Sequence, residues 1–352
     1  MAKRKTKPVK VAVLALGRSG WNIHVAGLRN DKRYKIVSVL DLDLNRRKQA
    51  EEELGCDSYT DLKTLLNESP AELITVASPS VLHASQSIKA MKSGRHVVVE
   101  KPMAASLGEA DRMIQTAQKE GVHMFVHQNY RFKGGYTFIL EVLKSGKIGK
   151  LTHIAYVNHS YSRRNDWQCL RKFSGGQLNN KVTHPLDQLL ALVNSPIRDA
   201  LCDLKHVSDA GDVEDHVKML LRTESGVTID VEDSSSAATT RHAPQWTLLG
   251  TCGAMTIQDG QAHLKYYDPK KTPKLKVNPK PIADGRQYGN QDVLKWKEEE
   301  LSAEGAVAGT FYDAVFKTLK KRKKFPIDPR QVREMMRVLQ ECRKQNPGFP
   351  GK

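Results

Sequence analysis

Over roughly the first 125 residues, short β-branched apolar runs alternate with longer stretches whose apolar positions recur at helical spacing. The runs Val9 to Leu16, Lys35 to Leu40, Leu73 to Ala77, His96 to Val99 and His123 to His127 predict strands. Between them Gly20 to Arg29, Asn45 to Leu54, Asp61 to Asn67, Ser80 to Ser93 and Ser106 to Glu120 predict helices. Several of these end at Gly55, Gly94 or Gly121, or near Pro70, where helices are expected to stop. Strand-helix alternation of this kind predicts a parallel, doubly wound α/β sheet.

After Arg131 the pattern changes. A helix from Tyr136 to Ser145, a turn at Gly146 and Gly149, a strand from Leu151 to His159 and a helix from Thr183 to Val193 come first. Six strand-like segments then follow with few helices between: Leu201 to Val207, Val217 to Thr223, Val227 to Val231, Trp246 to Gly250, Ala254 to Gln258 and His263 to Tyr267. Such a run predicts an α+β domain with an open-faced, mostly antiparallel sheet. A loop rich in Pro and Lys, Asp268 to Gly289, leads to two closing helices, about Glu304 to Lys320 and Arg330 to Lys344. The expected division is residues 1–128 and 129–352, with the last helix able to pack back on the first domain. Two domains also suit 352 residues, because single cores stop growing at roughly 250 to 300 residues.

Composition narrows the function. With 39% hydrophobic and 27% charged residues, and no apolar run near the roughly 20 residues of a membrane span, the chain reads as soluble and globular. The apolar octet Val9 to Leu16 follows a basic N-terminus as a signal peptide would, but Gly17-Arg18-Ser19-Gly20 replaces a cleavage site, so it reads as a strand. Five scattered cysteines without a Cys-x-x-Cys pair fit a reducing cytoplasm and exclude a zinc site of that kind. The net charge of +17 raises nucleic acid as a partner. Much of the excess lies in Lys3 to Lys10, Lys270 to Lys280 and Lys317 to Lys324, none interleaved with stacking aromatics, so no specific nucleic-acid site is expected.

Two strand ends carry candidate chemistry. The first runs into Ala15-Leu16-Gly17-Arg18-Ser19-Gly20, a dinucleotide fingerprint with alanine for its first glycine. Asp41 closes the next strand 26 positions after Ala15, near the roughly 20 expected for a carboxylate that binds ribose hydroxyls. A carboxylate there repels a 2'-phosphate and favours NAD over NADP, although Arg46 and Arg47 keep the choice open, and Asp41 could instead cap the helix at Asn45. The strand His96 to Val99 runs into Glu100-Lys101-Pro102, which places a lysine where a parallel strand opens onto a cleft. Partly desolvated there, Lys101 could exchange a proton near neutrality; otherwise it is a surface lysine.

Four segments in order resemble one family, the glucose-fructose oxidoreductase, inositol dehydrogenase and rhizopine-catabolism group (Gfo/Idh/MocA). They are the glycine loop with His24 behind it, Ser78-Pro79-Ser80-x-x-His83, Glu100-Lys101-Pro102, and Gly175-Gly176 followed by His184-x-x-Asp187. The resemblance covers nearly the whole chain and implies a Rossmann domain that binds NAD(P), with the second domain backing a sugar or polyol site. It implies that Gly17, Arg18, Ser19, Gly20, Asp41, Ser78, Pro79, His83, Glu100, Lys101, Asn129 and Arg131 face the cofactor. Lys101 would contact the reacting hydroxyl and His184 would act as acid or base, the chemistry that oxidation of a secondary alcohol requires. Members commonly carry aspartate four residues before that histidine; here the position is Asn180, which can orient a hydroxyl but cannot accept its proton. In the loop Tyr161 to Trp167, Arg163, Arg164 and Trp167 are candidate substrate contacts, or part of an ordinary exposed connection. Three functions remain open: an NAD(P)-dependent dehydrogenase, a redox-neutral glycosidase or lyase acting by transient oxidation, and a non-catalytic dinucleotide-binding regulator. No metal is expected, and a homo-oligomer, dimer or tetramer, is expected through the open sheet face.

Overall fold

The computed structural model describes residues 7–239, 243–277, 279, 294–305, 307 and 309–347. Six parallel strands form the first sheet in the order β3-β2-β1-β4-β5-β6. They are β1 (Val9–Leu14), β2 (Tyr34–Leu40), β3 (Asp57–Tyr59), β4 (Leu73–Val76), β5 (His96–Val99) and β6 (Met124–Val126). Helices α1 (Ala26–Leu28), α2 (Leu44–Leu54), α3 (Leu62–Glu68), α4 (Ser80–Lys92) and α5 (Leu107–Lys119) alternate with the strands. Because helices cover both faces, central strands such as Leu73-Ile74-Thr75-Val76 are buried at every position. The doubly wound expectation holds, with one strand more than expected. β3 is a polar three-residue edge strand that leaves no apolar run to read.

The first helix is also not regular. Gly20–Val25 forms a π-helical turn before α1. The alternative role for Asp41, capping the next helix, is filled by Asp43, whose carboxylate accepts from the amides of Asn45 (2.8 Å) and Arg46 (3.3 Å).

The second sheet has eight strands in the order β14-β13-β12-β11-β7-β10-β9-β8, antiparallel throughout except for the β7–β10 pair. They are β7 (Leu151–His159), β8 (Ile197–Lys205), β9 (His216–Thr223), β10 (Thr228–Ser234), β11 (Trp246–Gly250), β12 (Gly253–Gln258), β13 (Gln261–Tyr266) and β14 (Lys297–Ser302). Burial alternates along β9 and β10, so Val217, Met219, Leu221, Ile229 and Val231 point inward. Lys218 on the outer face bonds Asp230 and Glu232 across the strands, and Lys265 bonds Glu298. Helices α6 (Gly134–Ser145), α7 (Gln177–Asn180), α8 (Thr183–Val193), α9 (Phe311–Lys321) and α10 (Pro329–Gln345) complete the fold.

The region before α9 corrects the expectation. Lys297-Glu298-Glu299-Glu300, where the sequence pattern predicts no element, forms edge strand β14, its charges matched by Lys265 and Lys147. The helix expected from Glu304 begins at Phe311, where Thr310 and Asp313 form a reciprocal cap. Much of the expected Asp268 to Gly289 loop lies outside the described residues. Helix α10 touches both sheets' domains: Arg333 pairs with Asp111 of α5, and Glu334 accepts from the Ile197 amide of β8 at 3.0 Å.

Candidate active site

The glycine loop turns at the C-terminal end of β1, where Ala15 adopts the left-handed conformation (φ 66°) that glycine usually supplies. Gly20 cannot change in the same way, because a Cβ there would stand 1.8 Å from the Ala15 carbonyl oxygen. At Gly17 no protein atom lies within 4 Å of where a Cβ would stand. The folded chain therefore has no use of its own for a glycine at Gly17, whereas a pyrophosphate lying on the loop does. Arg18 and Ser19 form the rim of this corner. Asp41, buried at the end of β2, accepts from the amides of Leu16 (2.6 Å) and Asp43 (2.9 Å), with Arg46 3.6 Å away. Its carboxylate is thus fixed beside the loop.

Glu100 and Lys101 leave β5 in opposite senses. Glu100 turns inward: Oε1 accepts from His24 Nε2 (3.0 Å) and His127 Nδ1 (2.9 Å), and Oε2 from the Lys101 amide (3.0 Å). Tyr312 of α9 closes the cluster at His24 Nδ1, 2.8 Å away. Burial alone would raise the Glu100 pKa, but the two histidines outweigh it and hold the carboxyl well below the usual range. Burial lowers the pKa of His24. These three side chains have the composition of a metal site, yet hydrogen bonds among themselves and Tyr312 already account for their contacts.

Lys101 turns away from that cluster and toward α7. Its Nζ donates to the Asn180 backbone oxygen at 2.7 Å and reaches Asn180 Oδ1 at 3.4 Å. The Asn180 amide donates to Gln168 Oε1 (3.1 Å), and Arg164 donates to the same oxygen. Burial lowers the Lys101 pKa; Glu100 opposes that, while the charges of Arg18 and Arg164 add to it.

His184 enters from the start of α8. Its ring lies flat on Tyr130, centroids 4.0 Å apart, and its Nδ1 is buried with no partner among the described residues. Burial, with the charges of Lys101 and Lys133, lowers its pKa to about 3. Asn129 beside Tyr130 also keeps a buried Oδ1 without a partner among the described residues. Two buried polar atoms without a partner among the described residues are what a site awaiting polar ligand groups presents.

Three residues expected to face the cofactor are committed elsewhere. His83 is buried, its nitrogens 2.8 Å from the carbonyl oxygens of Pro102 and Ser78, so it staples two loops together. Glu100 is saturated by His24 and His127, as described. Arg131 is buried in a two-bond ion pair with Asp187 (2.7 Å each) and also bonds Gln331. Ser78 and Pro79 lie at the start of α4, where Ser78 Oγ bonds Gln86 Oε1 at 2.6 Å. Arg163 and Trp167 are exposed on the loop whose Arg164 reaches the site. Sequence reasoning missed Tyr130, Lys133, Gln168, His127 and Tyr312. Tyr130 sits between two expected site residues, but Gln168 and Tyr312 meet the site only through the fold.

Residues 9–128 match a family described as an oxidoreductase family with an NAD-binding Rossmann fold, and residues 136–256 match the GFO/IDH/MocA C-terminal domain. The chain belongs to the Gfo/Idh/MocA oxidoreductase family. Among curated Gfo/Idh/MocA relatives, it is 26% identical over 251 residues to a myo-inositol 2-dehydrogenase of Thermotoga maritima, covering 70% of this chain and 74% of that protein. It is 31% identical over 184 residues to a 2,7-anhydro-N-acetylneuraminate hydratase of Mediterraneibacter gnavus, covering 51% of this chain and 48% of that protein. In fold it resembles the solved structure of an NAD-binding protein from Listeria innocua, with a TM-score of 0.82, 22% identity and 97% of each chain covered. The open corner at Gly17 and the fixed carboxylate of Asp41 fit the dinucleotide that this family binds.

Proposed function

We propose that this protein is an NAD(P)-dependent dehydrogenase acting on a secondary hydroxyl of a sugar, polyol or sugar derivative, with Lys101 as the proton acceptor. The observation that carries this reading is Lys101 Nζ at the end of a parallel strand, touching neutral oxygens of Asn180 and depressed in pKa by burial. A lysine so placed can be neutral in part at working pH and take the hydroxyl proton. Bound nicotinamide supplies the hydride acceptor. Asn129, Asn180 and His184 present polar atoms that orient hydroxyls, and Arg163, Arg164 and Trp167 form the outer substrate wall. The carboxylate of Asp41 favours NAD; Asp41→Ala is expected to weaken NAD about tenfold and NADP little, and equal losses in a fluorescence titration would refute that preference.

Asn180 supports a second reading, in which the same site oxidises transiently, eliminates and returns the hydride. The hydratase relative supports it as well. Incubation with NAD and a panel of sugars and polyols separates the two: accumulating NADH supports the dehydrogenase, and product without net NADH supports the redox-neutral reaction. Dinucleotide binding with neither outcome would leave a non-catalytic regulator. Pairing of two copies through the outer face of the second sheet belongs to the same proposal, supported by exposed Leu201, Leu220 and Leu249, and a monomer by light scattering would refute it.

A further inference from the structure

Histidines that act in catalysis are ordinarily aimed by a hydrogen bond at one ring nitrogen, which leaves the other for the substrate. His184 has none: Nδ1 is buried and unpartnered among the described residues. What holds the ring is Tyr130, stacked on it at 4.0 Å between centroids and 12° between planes. Lys133 Nζ lies 3.3 Å from the centroid of the same tyrosine ring. An ammonium and an imidazole that close to one centroid cannot share a face, so Tyr130 is sandwiched between them. The tyrosine is itself tied to the helix that carries His184. Gln188 Nε2 donates to the Tyr130 carbonyl at 2.9 Å, and the neighbouring Arg131 is bonded to Asp187.

We propose that Tyr130, braced by Lys133, is a positioning residue that aims the His184 imidazole and covers its face from water. A tyrosine face stabilises a cation, but here Lys133 already occupies that role on the far side. Burial is the main cause that lowers the His184 pKa; the charged and titratable groups that add to or oppose it are Glu100 and Lys101 after β5, His127 after β6 and Lys133 after the Asn129–Phe132 turn. Lys101, Lys133 and His127 oppose a charge on His184; Glu100 favours one but is engaged by His24 and His127. A neutral, fixed imidazole orients the substrate hydroxyl and leaves the proton to Lys101. This consequence rests on the dehydrogenase reading; the positioning itself does not.

The test is a pH titration of the His184 ring signals in the full chain labelled at histidine, assigned by their loss in His184→Gln. The wild type is expected to show one ring environment with no titration from pH 5 to 8. Tyr130→Phe, which keeps the plate, should reproduce it. Tyr130→Leu should give several or broadened ring signals and an apparent pKa raised by at least one unit; a wild-type titration in that variant would overturn the proposal. Should Tyr130→Leu not fold, Lys133→Met decides: an upward shift of the His184 titration supports the proposal, and no shift overturns it. A panel that yields no oxidised substrate would sink the dehydrogenase reading and leave these spectra equally decisive. With an oxidised substrate, Tyr130→Leu should lower kcat more than it raises KM.

Discussion

Glu100 and Lys101 are adjacent in the chain and opposite in circumstance. Glu100 has both oxygens bonded, to two histidines and a backbone amide, in a cluster closed by Tyr312. Lys101 has a cationic head with no carboxylate within salt-bridge distance among the described residues, held by carbonyl and carboxamide oxygens. A saturated charge stabilises a fold, because removing either partner leaves the other buried and unmatched. An unsaturated one is available for chemistry. The difference teaches which half of the Glu100-Lys101-Pro102 motif holds the strand end and which half works there.

Four experiments break or sharpen this contrast. Lys101→Ala should lower turnover by about three orders of magnitude, in line with loss of general acid-base catalysis, while leaving the melting temperature within a few degrees and NAD affinity within a few-fold. Near wild-type rates would end the assignment. Glu100→Gln should do the reverse, costing about 3–5 kcal/mol in urea denaturation as the histidine cluster loses its charge. A variant as stable as the wild type would show that the cluster is not structural.

The third experiment concerns pH. Burial lowers the pKa values of His24, His83 and His184, that of His184 to about 3. In the unfolded chain such groups take up protons near pH 6.5, so below that pH the unfolded state binds more protons and stability falls. The stability is fully present above about pH 6.5 and is lost as the pH drops toward the folded values. His184→Gln should reduce the slope of stability against pH by roughly 1.4 kcal/mol per unit between pH 6 and 4; an unchanged slope would show that His184 titrates normally in the fold. The smallest effect belongs to Asn180→Asp, which gives Lys101 the carboxylate it lacks. The acid limb of its pH–rate profile should move up by about one unit, with a change of a few-fold at pH 7. No movement would place position 180 outside Lys101's electrostatic reach.

Much of this was legible in the chain. The doubly wound sheet followed from apolar runs buried on both faces, and the second sheet from runs of strands without helices. β3 and β14 escaped because edge strands carry polar or charged residues, the signal that otherwise marks a loop. In the site, Lys101 bonds Asn180, and His184 lies within electrostatic range of Lys101. His83 and Arg131 stand where expected along the chain, but their side chains turn into the protein, and no local pattern distinguishes a groove-facing histidine from one bonded to two carbonyls. Gln168 and Tyr312 reach the site through contacts 12 and 288 residues distant in sequence, which no spacing rule encodes.

The glycine loop separates what a motif spells from what it requires. Ala15 holds a left-handed turn at a strain of roughly 1–2 kcal/mol, a sum a domain can absorb, so that letter is free to drift. Gly20 faces the Ala15 carbonyl at a distance no side chain survives, so its letter is not. A pattern written in residue names treats the two positions as equal evidence. One written in dihedral angles and clearances would keep this loop and discard lookalikes that retain the first glycine but fill the place of the last.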